Sequence, residues 1–482
     1  MGLADTRVDL ARSCHGVDRS SAAVANGIVR HNAITEEPVH IAFIAMSGVR
    51  AANPELNEVG LTMPGFVERS KVIASLPSLS LLTLAGLTPD AFEVSYHEVA
   101  DLRVLDELPD CDVAAIASFS AQIKDAYELS DRYRAQGVRT VLGGLHVTAR
   151  PREAARHADA IVIGEGELGW PSLLGDLAAG RLKPVYSADG REFSLADAPM
   201  PRFELLDVER YNRITVQTQR GCPWRCDFCA ASIRLTPLYK VKPIPKVIAE
   251  IREIKKLWPR PFIEFADDNS FVHRRHSKEL LRAVAEEGIK WFTESDVAIA
   301  DDPELLEIMR EAGCVEVLIG LESPTAAGIE GVELRRNWKR GRFDQYLTAI
   351  ERIQSHGIAV NGCFVLGLDG DGPGVFDAVA EFVAASGQFD VQITVLTPFP
   401  GTPLYDRLRD EGRLLEPEGW ERCTLFDVNF RPMHMSPEFL QRNLVDLGRR
   451  LYTEDERTRR RNAFHDHRRR FLRAARTRRI SA

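Results

Sequence analysis

Twice along this chain, apolar runs of strand length alternate with segments of helical period, and the second series opens on a loop with three cysteines in eight positions, "RGCPWRCDFCA" (220–230). Few folds satisfy that alternation. Strands separated by helices pair in parallel through right-handed crossovers, so each series predicts one parallel sheet covered by its own helices. The first series is "VHIAFIAM" (39–46), "FEVSYHEV" (92–99), "CDVAAIASF" (111–119), "RTVLGG" (139–144) and "ADAIVIGEG" (158–166), with its clearest helix over 121–137. It predicts a doubly wound, Rossmann-like sheet of about five strands within residues 39–186. The second series runs through "ITVQTQ" (214–219), "FIEFAD" (262–267), "WFTESD" (291–296), "VEVLIGLE" (315–322), "IAVNGCFVLG" (358–367) and "VQITVLTP" (391–398), with helices over 244–257 and 302–313. It predicts a partial (β/α)6 barrel over 211–405, with chemistry at the strand C-terminal ends. Residues 1–38 read as a flexible extension, 187–210 as a linker, and 406–482 as a small C-terminal helical segment. The fold class is α/β.

Length and composition bound the function. A chain of 482 residues with 44% hydrophobic content supports two or three cores. No apolar run approaches the roughly 20 residues of a membrane span, and no N-terminal apolar signal is present, which predicts a cytoplasmic protein. A net charge of −8 speaks against a nucleic-acid partner, although the last stretch, "RTRRRNAFHDHRRRFLRAARTRRI", is basic. We read that stretch as a solvated helical tail.

Cys222, Cys226 and Cys229 need a chemical reason. Structural zinc takes four ligands, and no nearby cysteine or metal-spaced histidine completes the set. A disulfide would leave one thiol over and suits an oxidising compartment. An iron–sulfur cubane held by three thiolates leaves one iron able to bind a ligand, which accounts for three cysteines in place of four. Cys111, Cys314, Cys363 and Cys423 read as small core residues, and Trp224 as a shield over the loop.

With C-x3-C-x2-C after the first strand of a (β/α)6 barrel, the chain resembles the radical S-adenosylmethionine (SAM) enzymes. The resemblance implies a 4Fe-4S cluster on the three cysteines, SAM chelated through its amino and carboxylate groups to the open iron, and a 5′-deoxyadenosyl radical released on one-electron cleavage. It implies an aromatic beside the cluster at Phe228 and SAM contacts at Asp268, Glu294, Glu322, Ser323 and Gly367. Strand alternation alone leaves Asp267 and Asp268 unseparated, and a barrel-mouth ion pair is the plain alternative for each glutamate.

The N-terminal half, with "LGGLHVTARP" and "ADAIVIGEGE", resembles the cobalamin-binding domain of the cobalamin-dependent radical SAM class. That implies cobalamin contacts at Ser118, Ser120, Gly143, Gly144, Gly164 and Gly166. The D-x-H-x-x-G motif that supplies an axial histidine in other cobalamin domains is absent after the first strand, where "AMSGVRAANPE" stands. His146 reads as a local hydrogen-bonding residue, with cobalt ligation as the sharper alternative. The implied reaction is methylation of an unactivated carbon of a biosynthetic intermediate. A cobalamin-dependent oxidoreductase or cyclase, and a radical SAM enzyme with a scaffold-only first domain, stay open. Implied partners are a small-molecule or lipid substrate and a flavodoxin- or ferredoxin-type electron donor. Two sheets that present strand ends to one cavity, closed by residues 406–455 with substrate contacts from "CTLFDVNFRPMHM", complete the expectation.

Overall fold

The computed structural model describes residues 38–59, 76–188, 190–230 and 238–480; the extension proposed for 1–38 lies almost wholly outside them. The first sheet has six parallel strands, one more than expected: β1 (Val39–Met46), β2 (Phe92–Val99), β3 (Val113–Ala117), β4 (Arg139–Gly143), β5 (Ala160–Ile163) and β6 (Val185–Ser187), in the order β2-β1-β3-β4-β5-β6. The extra strand was hidden because three residues at the edge of a sheet leave no readable period. Alternation on β1 sends Ile41, Phe43 and Ala45 to one core and Ala42, Ile44 and Met46 to another, so both faces are covered, as a central parallel strand requires. Trp170 seals the first of these faces against Phe43 and donates its indole N–H to Thr88 Oγ1 at 2.9 Å.

The second sheet is β7 (Ile214–Val216), β10 (Phe262–Phe265), β11 (Lys290–Ser295), β12 (Cys314–Glu322), β13 (Ala359–Leu366) and β14 (Asp390–Val395), all parallel and adjacent in chain order. Just after β7, β8 (Gln219–Arg220) pairs antiparallel with β9 (Lys240–Val241), so the chain before the cysteine loop lies beside the chain that follows it. The predicted helices stand at Ile244–Leu257 and Pro303–Glu311, the second capped by Asp302, which accepts the Leu305 N–H. Residues 187–210 are more than a linker: Phe193, Leu195, Phe203 and Leu206 are buried along short 3-10 turns.

The C-terminal segment departs most from expectation. Its basic stretch forms one helix, Glu454–Ile480, whose first half docks on the barrel beside the start of β14. Arg460 is fully buried there, donating to Leu451 O at 2.7 Å and to Asp390 Oδ1 at 3.4 Å, and Phe464 packs edge-on against Phe389. The "CTLFDVNF" stretch contributes buried residues to the interior, among them Cys423, Phe426 and Phe430. Asp427 accepts the Ala52 and Asn53 N–H groups at 2.8 and 3.2 Å, and Trp420 donates to Glu153 at 3.0 Å. This segment therefore straps the two sheets together. No described helix is long and apolar enough to cross a membrane.

Candidate functional site

The base of the cysteine loop is fixed by two neighbouring carboxylates. Asp267 is buried and accepts from Thr218 N (2.8 Å), Thr218 Oγ1 (2.5 Å), Gln219 N (3.0 Å) and Ser270 Oγ (3.0 Å). Burial pushes its carboxyl up to about 6 even with the opposing pull of the Thr218 and Gln219 donors. Asp268 accepts the Gly221 N–H at 2.7 Å and lines the main cavity. The ambiguity between the neighbours is thus resolved: Asp267 holds the turn and Asp268 faces the open space. Gly221 has φ +85°, a left-handed turn that glycine adopts without strain.

Cys222, Cys226 and Cys229 lie close together: burial first, with the charge of Cys229 adding to it, raises the thiol pKa of both Cys222 and Cys226, and Cys222 adds to the rise at Cys226. Among the described residues no three His, Cys, Asp or Glu side chains converge on a point that holds a single metal ion. Three thiols gathered on one loop fit a cluster that leaves one iron open. Asn269, which sequence reasoning missed, donates from Nδ2 to Cys222 Sγ at 3.7 Å and to Asp296 Oδ2 at 2.9 Å. Trp224 stacks on Trp338 with ring centroids 4.6 Å apart and donates to Asp296 at 3.1 Å, in keeping with a shield. Phe228 is half-buried against the barrel core.

The barrel lumen is polar. Glu294 has open space around its side chain, but that space is the enclosed lumen, where desolvation and repulsion from Glu264, Asp268 and Glu322 push its carboxyl up to about 7. Glu322, at φ +64°, ends β12 in a left-handed turn that returns its carboxylate to the Lys339 ammonium at 2.6 Å. For Glu322 the structure shows the plain alternative, an ion pair, placed beside the lumen. Cys363 corrects the reading of it as a core residue: it is half-buried, and burial followed by the charges of Glu322 and Glu294 raises its thiol pKa. Asn361 shares its strand face, and Gln392 is its register partner on β14. Asn361 Oδ1, Gln392 Oε1 and Thr215 Oγ1 are buried without a hydrogen-bond partner among the described residues. Such a lining fits a ligand with several polar groups, as SAM has.

Two proposed SAM contacts point elsewhere. Ser323 is buried and donates to Asp371 Oδ1 at 3.2 Å. A Cβ at Gly367 would lie 2.8 Å from Leu440 and 3.0 Å from Phe430, so this glycine admits the C-terminal strap. Neither role has a local sequence signal, because each partner comes from a distant element.

A cavity of about 370 Å³ lies where both sheets present their strand C-terminal ends. Ala117, Gly143, Gly144, Gly164 and Gly166 line it from the first sheet, with Leu79, Leu81 and Leu84 beside them, and Gln217, Arg220, Ala266 and Asp268 line it from the barrel. Gly144 (φ +104°) and Gly164 (φ +83°) need glycine for their backbone. Gly143 does not, and a Cβ there would meet no protein atom nearer than 3.9 Å, so the open space it borders is what that glycine preserves. This cradle fits a bulky ligand lying against the backbone, as cobalamin would.

Ser118 and Ser120 are not among the lining residues. The Ser118 hydroxyl donates to Phe119 O at 2.8 Å, and Ser120 turns to His146 Nδ1 at 3.0 Å. The other ring nitrogen of His146 meets Glu153 at 3.4 Å, so this buried imidazole has local partners on both sides. Arg220, also unanticipated, reaches from the cysteine loop to Glu165 (2.8 Å) and Glu167 (2.6 Å) at the rim of the first domain, and Lys240 adds a third bond to Glu165 at 2.7 Å.

Comparison with known proteins agrees with this arrangement. Residues 216–383 match the model of the Radical SAM superfamily, residues 70–174 that of the B12 binding domain, and residues 402–480 a domain of unknown function, DUF4070. The chain is 29% identical over 390 residues to a bacteriochlorophyllide d C-12(1)-methyltransferase of Chlorobaculum tepidum, spanning 78% of this chain and 83% of the relative. It is 26% identical to a hopanoid C-2 methylase of Rhodopseudomonas palustris, over 73% of this chain and 67% of that one. Its fold is similar to the radical SAM methyltransferase TsrM from Kitasatospora setae, solved with cobalamin and a 4Fe-4S cluster bound, with a TM-score of 0.62 at 15% identity over 88% of this chain and 90% of that chain.

Proposed function

We propose that this chain, which belongs to the cobalamin-dependent radical SAM enzymes and methylates its substrate, acts on an unactivated carbon of a hydrocarbon-rich ring system admitted between its two sheets. The observation that carries the reading is the cavity bounded by the strand ends of both, since it lets two cofactors address one substrate. The ring-system class rests on the relatives named for a bacteriochlorophyllide and for hopanoids.

When bound, the cluster with SAM supplies a carbon radical that removes hydrogen, and cobalamin supplies the methyl group; no side-chain acid or base does this to an unactivated C–H bond. The chain's own residues bind and orient. Cys222, Cys226 and Cys229 would hold the cluster, on a loop anchored by Asp267 and lined by Asn269. Asp268, Glu294 and the unpartnered lumen groups would hold SAM, and the glycine cradle would hold cobalamin. The Trp224–Trp338 stack covers the loop from water. Arg220, clasped to Glu165 and Glu167, keeps the two cofactor sites in register.

The test uses anaerobically reconstituted enzyme, methyl-labelled SAM, and extracts from cells with and without the gene. A visible spectrum of bound cobalamin and a ring-system product carrying the label are expected. A product that has only lost hydrogen, with no label gained, would overturn the methyl-transfer reading.

A further inference from the structure

One surface feature is unused by the function above, and it adjoins the cysteine loop directly. Residues 332–338 lie against that loop through backbone bonds: Asp227 N donates to Val332 O at 3.0 Å, and Leu334 N to Arg225 O at 2.8 Å. Buried Glu333 organises both strands of this contact, accepting the N–H groups of Arg225 (3.2 Å), Arg335 (3.1 Å) and Arg336 (2.7 Å). The side chains of these three arginines are exposed, and none forms an ion pair among the described residues. Leu334, between them in the contact, is 52% exposed. Nearby carboxylates are already engaged, Glu330 by Asn337 and Arg340, and Asp301 by Arg342. A chain with net charge −8 thus carries, beside its cysteine loop, a platform of three arginines with an apolar centre, among the described residues balanced only by the Glu333 carboxylate beneath it.

We propose that Arg225, Arg335 and Arg336, around Leu334, dock a small acidic one-electron carrier protein. The proposal rests on the radical SAM reading, which requires electrons from outside. Electron transfer slows steeply with distance, so a carrier must dock beside the cluster-bearing loop. Opposite charge around a small apolar contact suits a fast, transient complex. One electron leaves the carrier's reduced centre, which is oxidised, and enters the cluster. It is consumed when the sulfonium C–S bond of SAM breaks and methionine is released, and no proton moves at the platform. The basic C-terminal helix is the rival surface, but it lies at the start of β14, and the cysteine loop follows the opposite, C-terminal strand ends.

The experiment uses reconstituted holoenzyme and an acidic flavodoxin as the probe. Binding is expected to weaken with salt, and R335E/R336E to weaken it by roughly tenfold or more, while R335K/R336K retains it. Deoxyadenosine formation driven by the flavodoxin should fall in R335E/R336E, while formation driven by dithionite stays unchanged, as does the visible spectrum of the cluster. Unchanged flavodoxin affinity, or an equal loss with both reductants, would overturn the docking role. Wild-type enzyme that makes no deoxyadenosine even with dithionite would instead refute the radical reading on which the proposal stands.

Discussion

Glu294 shows how strongly enclosure changes a residue. Its carboxyl rises from 4.5 to about 7 because the lumen desolvates it and Glu264, Asp268 and Glu322 repel its charge. A carboxyl raised in the folded state costs stability as pH climbs from its unfolded value through its folded one, and costs nothing below both. Glu294→Gln should therefore leave thermal stability of the cofactor-free protein unchanged near pH 4 and raise it above about pH 7, as calorimetry at the two extremes would read. Burial raises the Asp267 carboxyl as well, but its removal has the opposite effect because it organises the turn. Asp267→Ala takes the acceptor from the Thr218 N–H and hydroxyl and the Gln219 N–H, which should cost about 3 kcal/mol in denaturant unfolding and lower iron bound per chain. Intact iron loading in that variant would show that the turn does not depend on the carboxylate.

At the scale of elements, the strap and the terminal helix bear on the barrel through single residues. Gly367→Ala forces a left-handed residue and drives a Cβ toward Leu440, so it should cost about 2 kcal/mol and loosen the Pro437–Leu451 helix while SAM affinity holds. Loss of SAM binding with full stability would restore the SAM-contact role. Arg460→Ala removes the buried partner of Asp390, and about 3 kcal/mol of lost stability, with faster proteolytic release of the terminal helix, is expected. The strands and the amphipathic helices over 244–257 and 302–313 were legible because their periodicity is local. The docking of a helix with seven arginines and no carboxylate after Asp466 was not, since one buried Arg and one Phe decide it.

Across the whole molecule, residues 39–482 form one compact unit, and the join between the sheets is electrostatic at the cavity rim. Arg220 and Lys240 converge on Glu165 and Glu167 there. Replacing both glutamates with glutamine should split a single calorimetric transition in two, the first sheet melting earlier, and should weaken cobalamin retention more than iron retention. A single unshifted transition would place the coupling in the C-terminal strap instead.

The amino-acid sequence alone determined the two parallel sheets and the cysteine loop with its iron–sulfur reading, because period, spacing and residue type are properties of short segments. The pairing of Glu322 with Lys339, the diversion of Ser120 to His146 and Ser323 to Asp371, the lumen position of Cys363 and the arginine platform were decided only by tertiary structure. Each joins residues far apart in the chain or depends on which way one side chain turns, and neither is written in local periodicity.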